Sequence, residues 1–185
     1  MIRVALAGLA FGALDQYLGT THVIVHTGAW TTTVSNMSAL WLIVPFLAGW
    51  SQRAPRRAVA AGVVSLVAAF AGYWAMTLSP LEGVTGAHAI AGIAPLVRGH
   101  APWLLGGAVG APLYGLLGHR WRVQRAWSSA AAVSILLCFE PVAWFVSGLG
   151  RFSDARPVWI AETAAGACTA AAMAATRLRR PVVDA

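Results

Sequence analysis

Residues 58–79 read AVAAGVVSLVAAFAGYWAMTLS and contain no charged side chain. A transmembrane helix needs about 20 consecutive, mostly apolar residues, so this segment is long enough to cross a bilayer. Arg53, Arg56 and Arg57 stand shortly before it. Because backbone polar groups in lipid must pair within the segment itself, the sequence predicts a transmembrane helix here.

The remainder of the chain has the composition of an integral membrane protein. It has 185 residues, of which 58% are hydrophobic and 10% are charged, and its mean hydropathy is +0.68. A soluble domain of this size carries about a quarter charged residues. The composition therefore favours one membrane domain over residues 1–185, a multi-pass protein of the cell (plasma) membrane in contact with lipid.

Five further apolar segments are present, and four of the five loops between the six segments contain arginine. We predict an all-α fold, a polytopic membrane bundle of six transmembrane helices within a single domain. A loop containing glycine and histidine is predicted between the third and fourth spans, over residues 80–100. The predicted spans cover residues 2–19, 34–50, 58–79, 101–118, 126–149 and 157–176.

The distribution of arginine sets the orientation of these spans. All 13 basic residues are arginines, and alternate ends of six spans collect ten on one side and three on the other. Cytoplasmic loops carry the excess of arginine in membrane proteins. Both termini are therefore predicted to be cytoplasmic, and the net charge of +7 requires no nucleic acid partner.

Three acids lie inside predicted spans: Asp15, Glu140 and Glu162. An acid at the centre of a helix in lipid costs roughly 2.5 to 3.5 kcal/mol, even on the lenient insertion scale. The predicted topology puts all three at a similar depth in the outer half of the membrane. Such acids either brace the bundle or line a cavity, and a similar depth is a condition for a shared cavity.

Polar and aromatic side chains are predicted at the same level. Asn36 begins the second span, and three tryptophans lie deeper than an interfacial aromatic belt requires. We predict an outward-facing acidic and aromatic pocket for a small cationic or aromatic solute, in which the acids supply countercharge and the tryptophans stack. The predicted ligand-binding residues are Asp15, Asn36, Trp41, Trp74, Glu140, Trp144 and Glu162.

The sequence predicts no enzyme, no metal site and no cofactor. It contains no nucleophile elbow, phosphate-binding loop or paired-cysteine metal motif. His22 and His26 have the spacing of two metal ligands on one helical face, but they lie in a β-branched stretch. Cys138 and Cys168 fall in apolar spans and are predicted to be small buried side chains without a disulfide.

Four segments of the chain are distinctive: residues 12–15 (GALD), 36–41 (NMSALW), 107–118 (GAVGAPLYGLLG) and 139–141 (FEP). In these segments the chain resembles a family of small actinobacterial integral membrane proteins of unknown function. The likeness covers roughly residues 5–145, and it implies no activity. It points to Asp15, Asn36, Trp41 and Glu140 as positions of interest.

The chain is similar, more loosely, to the substrate-binding subunits of energy-coupling-factor vitamin importers. Those subunits have six helices, cytoplasmic termini, a ligand site near the outer face and a first helix that docks a coupling subunit through small residues. The resemblance implies a transporter component in which a membrane coupling subunit packs on the face of Gly8 and Gly12. No alanine-based docking motif or vitamin signature is present.

An alternative hypothesis is a structural or assembly subunit of a membrane complex. In that case the acids would pair with Arg98, Arg151 or Arg156, or with backbone groups, and would leave no open cavity. The sequence alone keeps both hypotheses open.

Overall fold

A computed structural model describes residues 1–25, 30–35, 37–84, 86–146 and 156–178. Within these ranges the chain is all-α, which confirms the predicted class. A 3-10 turn lies at Pro80–Glu82. The α-helices are α1 (Ile2–Val25), α2 (Trp30–Ser35), α3 (Ser38–Trp50), α4 (Pro55–Thr77), α5 (Ala87–Gly99), α6 (Ala101–Gln124), α7 (Trp127–Val146) and α8 (Arg156–Leu178).

Six of these helices, α1, α3, α4, α6, α7 and α8, occupy the six segments predicted as spans. Two are long and apolar enough to cross a membrane: α4, and residues Arg156–Ala175 of α8. Pro55 occupies the first turn of α4, where its fixed φ suits a helix start and its missing N–H has no intrahelical role.

The structure corrects the prediction between residues 80 and 100. Helix α5 occupies Ala87–Gly99, where the glycine and histidine content suggested a loop. Alanine has the highest helix propensity and recurs through this segment, so the isolated glycines do not prevent a helix. A second difference lies in the second span, because α3 begins only at Ser38 and the short α2 precedes it.

Helix α4 packs against α1 along a seam of small residues. A Cβ at Gly8 would overlap the carbonyl oxygen of Ser65, and a Cβ at Gly12 would overlap that of Ala69. The two backbones can come this close only without side chains at these positions. The Gly8 and Gly12 face is therefore filled by α4, and a coupling subunit would need another surface.

Helices α3, α4 and α6 meet in a second glycine seam. A Cβ at Gly49 would overlap the carbonyl of Gly115, and one at Gly118 would overlap that of Phe46. A Cβ at Gly62 of α4 would likewise overlap the carbonyl of Ala111. Helix α6 is thus held against both α3 and α4 by direct backbone contact.

Helices α7 and α8 form an antiparallel pair beside this core. Gly166 lies against Leu137 and Cys138, and Leu137 belongs to a buried apolar cluster with Phe46 of α3. Cys138 and Cys168 are free thiols, as predicted. Cys168 is exposed and Cys138 is half-buried, so neither is the fully buried side chain that the apolar sequence suggested.

Candidate functional site

A cavity of about 470 Å³ lies between α1, α3, α4 and α6, near the N-terminal ends of α3 and α6. Its lining combines one acid with aromatic and small residues, which suits a small organic ligand. The lining residues are Asp15, Ser35, Ser38, Trp41, Leu42, Leu66, Phe70, Tyr73, His100, Pro102, Trp103, Gly106 and Gly107.

Asp15 is the acid of this cavity and is only 4% exposed. It follows Gly8 and Gly12 at helical spacing, so the seam that turns those glycines towards α4 also turns Asp15 into the bundle. Trp41 Nε1 donates a hydrogen bond to Asp15 Oδ2 at 3.2 Å. Among the described residues this is the one hydrogen bond that the carboxyl receives.

Three aromatic rings contact Trp41 within the described residues. Its ring centroid lies 5.5 Å from that of Phe11 and 4.9 Å from that of Phe70. Tyr73 makes an edge contact with it at 5.9 Å. These packed rings fix the indole, so its N–H is held towards Asp15 and its ring borders the cavity.

Trp74 and His100 extend this cluster away from Asp15. Trp74 packs on Phe70, with centroids 5.6 Å apart, and does not line the cavity. Its indole nitrogen is buried without a hydrogen-bond partner in the described part of the chain. His100 lies 5.3 Å from Tyr73, and its Nδ1 is 2.8 Å from the carbonyl oxygen of Leu96.

The cavity opens on the side of α6. Its exposed lining residues, Pro102, Trp103 and Gly106, all belong to the first two turns of that helix. One further turn along, Gly110 lies against the side chain of Leu42, so α3 and α6 are in contact there. The exposed part of the cavity wall therefore lies on the N-terminal side of this contact.

Glu140 lies apart from the cavity lining and caps a helix. Both of its oxygens accept backbone N–H groups at the start of α3: Oε1 from Ser38, and Oε2 from Ala39 at 2.6 Å. The N-cap residue of α3, Met37, makes no side-chain hydrogen bond of its own. Glu140 thus satisfies donors that a helix N-terminus leaves free, and its charge faces the positive end of the helix dipole.

Glu162 lies beside Glu140, also apart from the cavity lining. It is 4% exposed, and the carboxyl of Glu140 acts on it electrostatically. Neither of its oxygens makes a hydrogen bond within the described residues. The three acids thus divide between two places, with Asp15 in the cavity and the two glutamates on the other side of the first turn of α3.

The predicted site residues that the structure describes lie in more than one place. Asp15 and Trp41 line the cavity, Trp74 packs behind it, and Glu140 and Glu162 form the separate pair. Asn36 lies outside the described residues, as does the side chain of Trp144, whose backbone belongs to α7. The side chains of His22 and His26 are likewise outside the described part.

Sequence reasoning did not select several lining residues. Phe70 and Tyr73 are the main ones, with Ser38 and His100 at the margins. Phe70 and Tyr73 are three residues apart on α4, and the same helical face carries Leu66. This spacing on a helix that packs against Asp15 is the signal that would have identified them.

Within the described ranges, no group of three or more histidine, cysteine, aspartate or glutamate side chains could hold a metal ion. Comparison with known proteins adds no relative: no protein family, curated protein or solved structure matches the chain.

Proposed function

We propose that this chain is a six-helix integral membrane protein with both termini in the cytoplasm, and that it binds a small cationic amphiphile beside Asp15. The observation that carries the proposal is a buried carboxyl on the wall of an aromatic cavity, with a single indole as its hydrogen-bond donor in the described residues. The role of transporter component is an expectation from the resemblance to importer subunits.

The exterior of the helices supports a membrane environment. Large apolar side chains are exposed on several of them, including Leu105 and Val109 of α6 at 72% and 70% and Phe145 of α7 at 75%. Water would make such surfaces costly, whereas lipid would not. The uneven distribution of arginine supports an orientation with both termini in the cytoplasm.

The chemistry of the cavity favours a ligand that carries both a positive charge and an aromatic or alkyl body. A buried carboxylate is costly unless it is paired, and an ammonium group would pair with Asp15. Trp41 and Tyr73 present aromatic rings nearby, and cation–π contact with a desolvated ring contributes about 2 kcal/mol. A neutral ligand would leave the carboxyl unpaired.

The position of the opening indicates the route of entry. The exposed part of the cavity wall is at Trp103 and Gly106 of α6, and we infer a gap there between α6 and α3. In a membrane, a gap between two neighbouring helices faces the acyl chains as well as the surface. An amphiphile dissolved in the outer leaflet would reach Asp15 through this gap, which is why we propose an amphiphile and not a fully hydrophilic solute.

The structural or assembly hypothesis is favoured by one observation. Glu140 accepts hydrogen bonds from backbone N–H groups of α3. The structural hypothesis predicts this kind of contact for the buried acids. It accounts for Glu140 but not for Asp15, which borders an open cavity. We therefore retain it as the second candidate function.

A ligand panel tests the proposal. The thermal midpoint of the purified protein is measured with aromatic and alkyl amines, quaternary ammonium compounds, neutral isosteres of the same shape, and vitamins. A ligand that binds only the native state raises the free energy of unfolding by about 2.7 kcal/mol at one hundred times its Kd. We expect at least one cationic compound to raise the midpoint, and its neutral isostere to leave it unchanged.

Two matched variants identify the site. Asp15→Asn should abolish the shift, and Glu82→Gln should preserve it, because Glu82 accepts a hydrogen bond from Thr20 and does not line the cavity. A panel without any responding cation, or a response that survives Asp15→Asn, would refute the proposal.

A further inference from the structure

The side chain of Glu162 is buried, and the residues that the structure describes offer it no hydrogen-bond partner. It projects from α8 towards α7, is 4% exposed, and neither oxygen makes a hydrogen bond within the described residues. Arg156, at the first turn of the same helix, is exposed. An isolated ionised carboxylate in such surroundings would carry a large desolvation penalty.

Glu140, by contrast, has partners that stabilise its ionised form. The N–H groups of Ser38 and Ala39 both point at its oxygens, and α3 adds the positive end of its dipole. Charge-assisted bonds of this kind favour the carboxylate over the neutral acid. Glu140 is therefore the charged member of the pair, and its negative charge falls on Glu162.

Two like charges side by side at a buried site cannot both persist without a cation. Two carboxyls alone provide too few ligands for a metal ion, and no third acid, histidine or cysteine joins them in the described part of the chain. A proton needs only the two oxygens. One proton on Glu162 would remove its charge and turn the contact with Glu140 into a hydrogen bond.

We propose that Glu140 and Glu162 form a proton-binding site in which one proton resides on Glu162 and is shared with the carboxylate of Glu140. The site stands independently of the solute-binding function proposed above, but its coupling to the cavity rests on that function.

The first turn of α3 connects the site to the cavity. The backbone N–H of Ser38 donates to Glu140, while the residue itself lines the cavity. One turn further, Trp41 donates to Asp15. A gain or loss of the proton would change the interaction of Glu140 with the backbone at Ser38, and both Ser38 and Trp41, one turn apart, line the solute cavity.

Infrared spectroscopy of the full-length protein in lipid nanodiscs tests the site. A protonated carboxyl shows a C=O stretch well separated from that of a carboxylate. At neutral pH we expect wild type to show a protonated-carboxyl band that Glu162→Gln removes. Asp15→Asn should keep that component, and Glu140→Gln should shift its frequency because the shared acceptor changes.

Two spectral results would contradict a proton site at Glu162. A spectrum that Glu162→Gln leaves unchanged would overturn the proposal. So would a Glu162 band that is present in choline chloride and vanishes in sodium chloride, because the occupant would then be a metal cation. Glu162→Gln is nearly isosteric with a neutral glutamic acid and should fold; a thermal midpoint near that of wild type checks this.

The coupling between the proton site and the solute cavity is measured separately. An amine that binds the cavity should shift the Glu162 band in wild type and leave it unshifted in Asp15→Asn. If the Glu162 band is present but no amine binds, the proton site stands and the solute proposal fails. If an amine binds and the band does not move, the coupling is refuted while both sites stand.

Discussion

The contact between Asp15 and Trp41 joins the first helix to the third across the cavity. It places a carboxyl and an indole, 26 residues apart in sequence, within 3.2 Å of each other. Rings of Phe11, Phe70 and Tyr73 pack around the indole and hold it in this position. This contact therefore fixes the part of the cavity wall where the carboxyl of Asp15 lies.

Replacement of Trp41 by phenylalanine should destabilise the protein. The carboxyl of Asp15 would lose its indole N–H donor and remain buried, which costs about 1 to 3 kcal/mol in the free energy of unfolding. Chemical denaturation in detergent micelles measures this change. Trp127→Phe is the control, because Trp127 is 47% exposed at the start of α7 and should change the free energy by less than about 0.5 kcal/mol. Equal effects of the two substitutions would contradict the assigned contact.

Replacement of Glu140 by glutamine should weaken the start of α3. An amide retains one acceptor oxygen for two N–H donors and loses the charge that faces the helix dipole, a loss of about 1 to 2 kcal/mol. Hydrogen exchange at the amides of Ser38 and Ala39 should accelerate, while amides in the middle of α4 should be unaffected. Unchanged protection at Ser38 and Ala39 would show that Glu140 does not cap α3.

Part of the site could be predicted at the residue scale. Asp15 is visible in the sequence because an acid in an apolar span is costly, and Trp41 because it lies deep in its span. The division of the acids could not be predicted. Equal depth does not determine the direction of a side chain, and the cap between Glu140 and Ser38 joins residues 102 positions apart.

At the scale of elements, α3 depends on its neighbours at both ends. Glu140 of α7 accepts the N–H groups of its first turn, and Arg122 of α6 donates from Nη1 to the carbonyl oxygens of Trp50 and Ser51, each at 3.1 Å. An acid at the N-terminus and a cation at the C-terminus complement the helix dipole. Since α3 has only 13 residues, these contributions from other helices fix its position beside the cavity.

The glycine seams give a matched pair of substitutions. Gly12→Ala would place a Cβ on the carbonyl of Ala69, so α1 and α4 must separate, and we expect a loss of about 1 to 3 kcal/mol. Gly106→Ala meets open space and should be neutral or stabilising by up to about 1 kcal/mol, because alanine favours the helix. Unfolding of both variants under the same conditions compares them. A Gly12→Ala protein as stable as Gly106→Ala would contradict close packing of α1 on α4.

The hydropathy of the sequence predicted the long helices. A helix buried in lipid and a helix buried in a protein core both require a long apolar stretch. Hydropathy could not locate the break before α3, since the polar stretch from Thr31 to Ser38 is compatible with either a cap or a continuous helix. Helix α5 was missed for a different reason. Its helix propensity is strong, but the histidines and glycines on either side of Ile90 suggested a loop.

At the scale of the whole molecule, the packing of α1, α3, α4 and α6 creates the cavity. The pair α7–α8 packs beside it, and Glu140 of α7 accepts the N–H groups at the start of α3. The predicted topology places Leu81 outside the cell and Gln124 in the cytoplasm. In a background with Cys138 and Cys168 replaced by alanine, we expect Leu81→Cys to react with a membrane-impermeant maleimide in intact cells. Leu81 is 71% exposed, so the thiol would be accessible.

Gln124→Cys should react with the same reagent only after the cells are permeabilised. Both residues are at the surface of the fold, so protection would come from the membrane and not from burial. Labelling of Gln124→Cys in intact cells, with Leu81→Cys protected, would reverse the orientation. Labelling of both variants in intact cells would contradict the prediction that an odd number of membrane crossings separates Leu81 from Gln124.

The most direct test of cation binding beside Asp15 is a crystal structure with a brominated aromatic amine, located by the anomalous signal of bromine. We expect a peak inside the cavity, bordered by Trp41, Tyr73 and Trp103, with the ammonium group at ion-pair distance from Asp15. A peak anywhere else on the protein, with the cavity empty at saturating amine, would contradict this expectation.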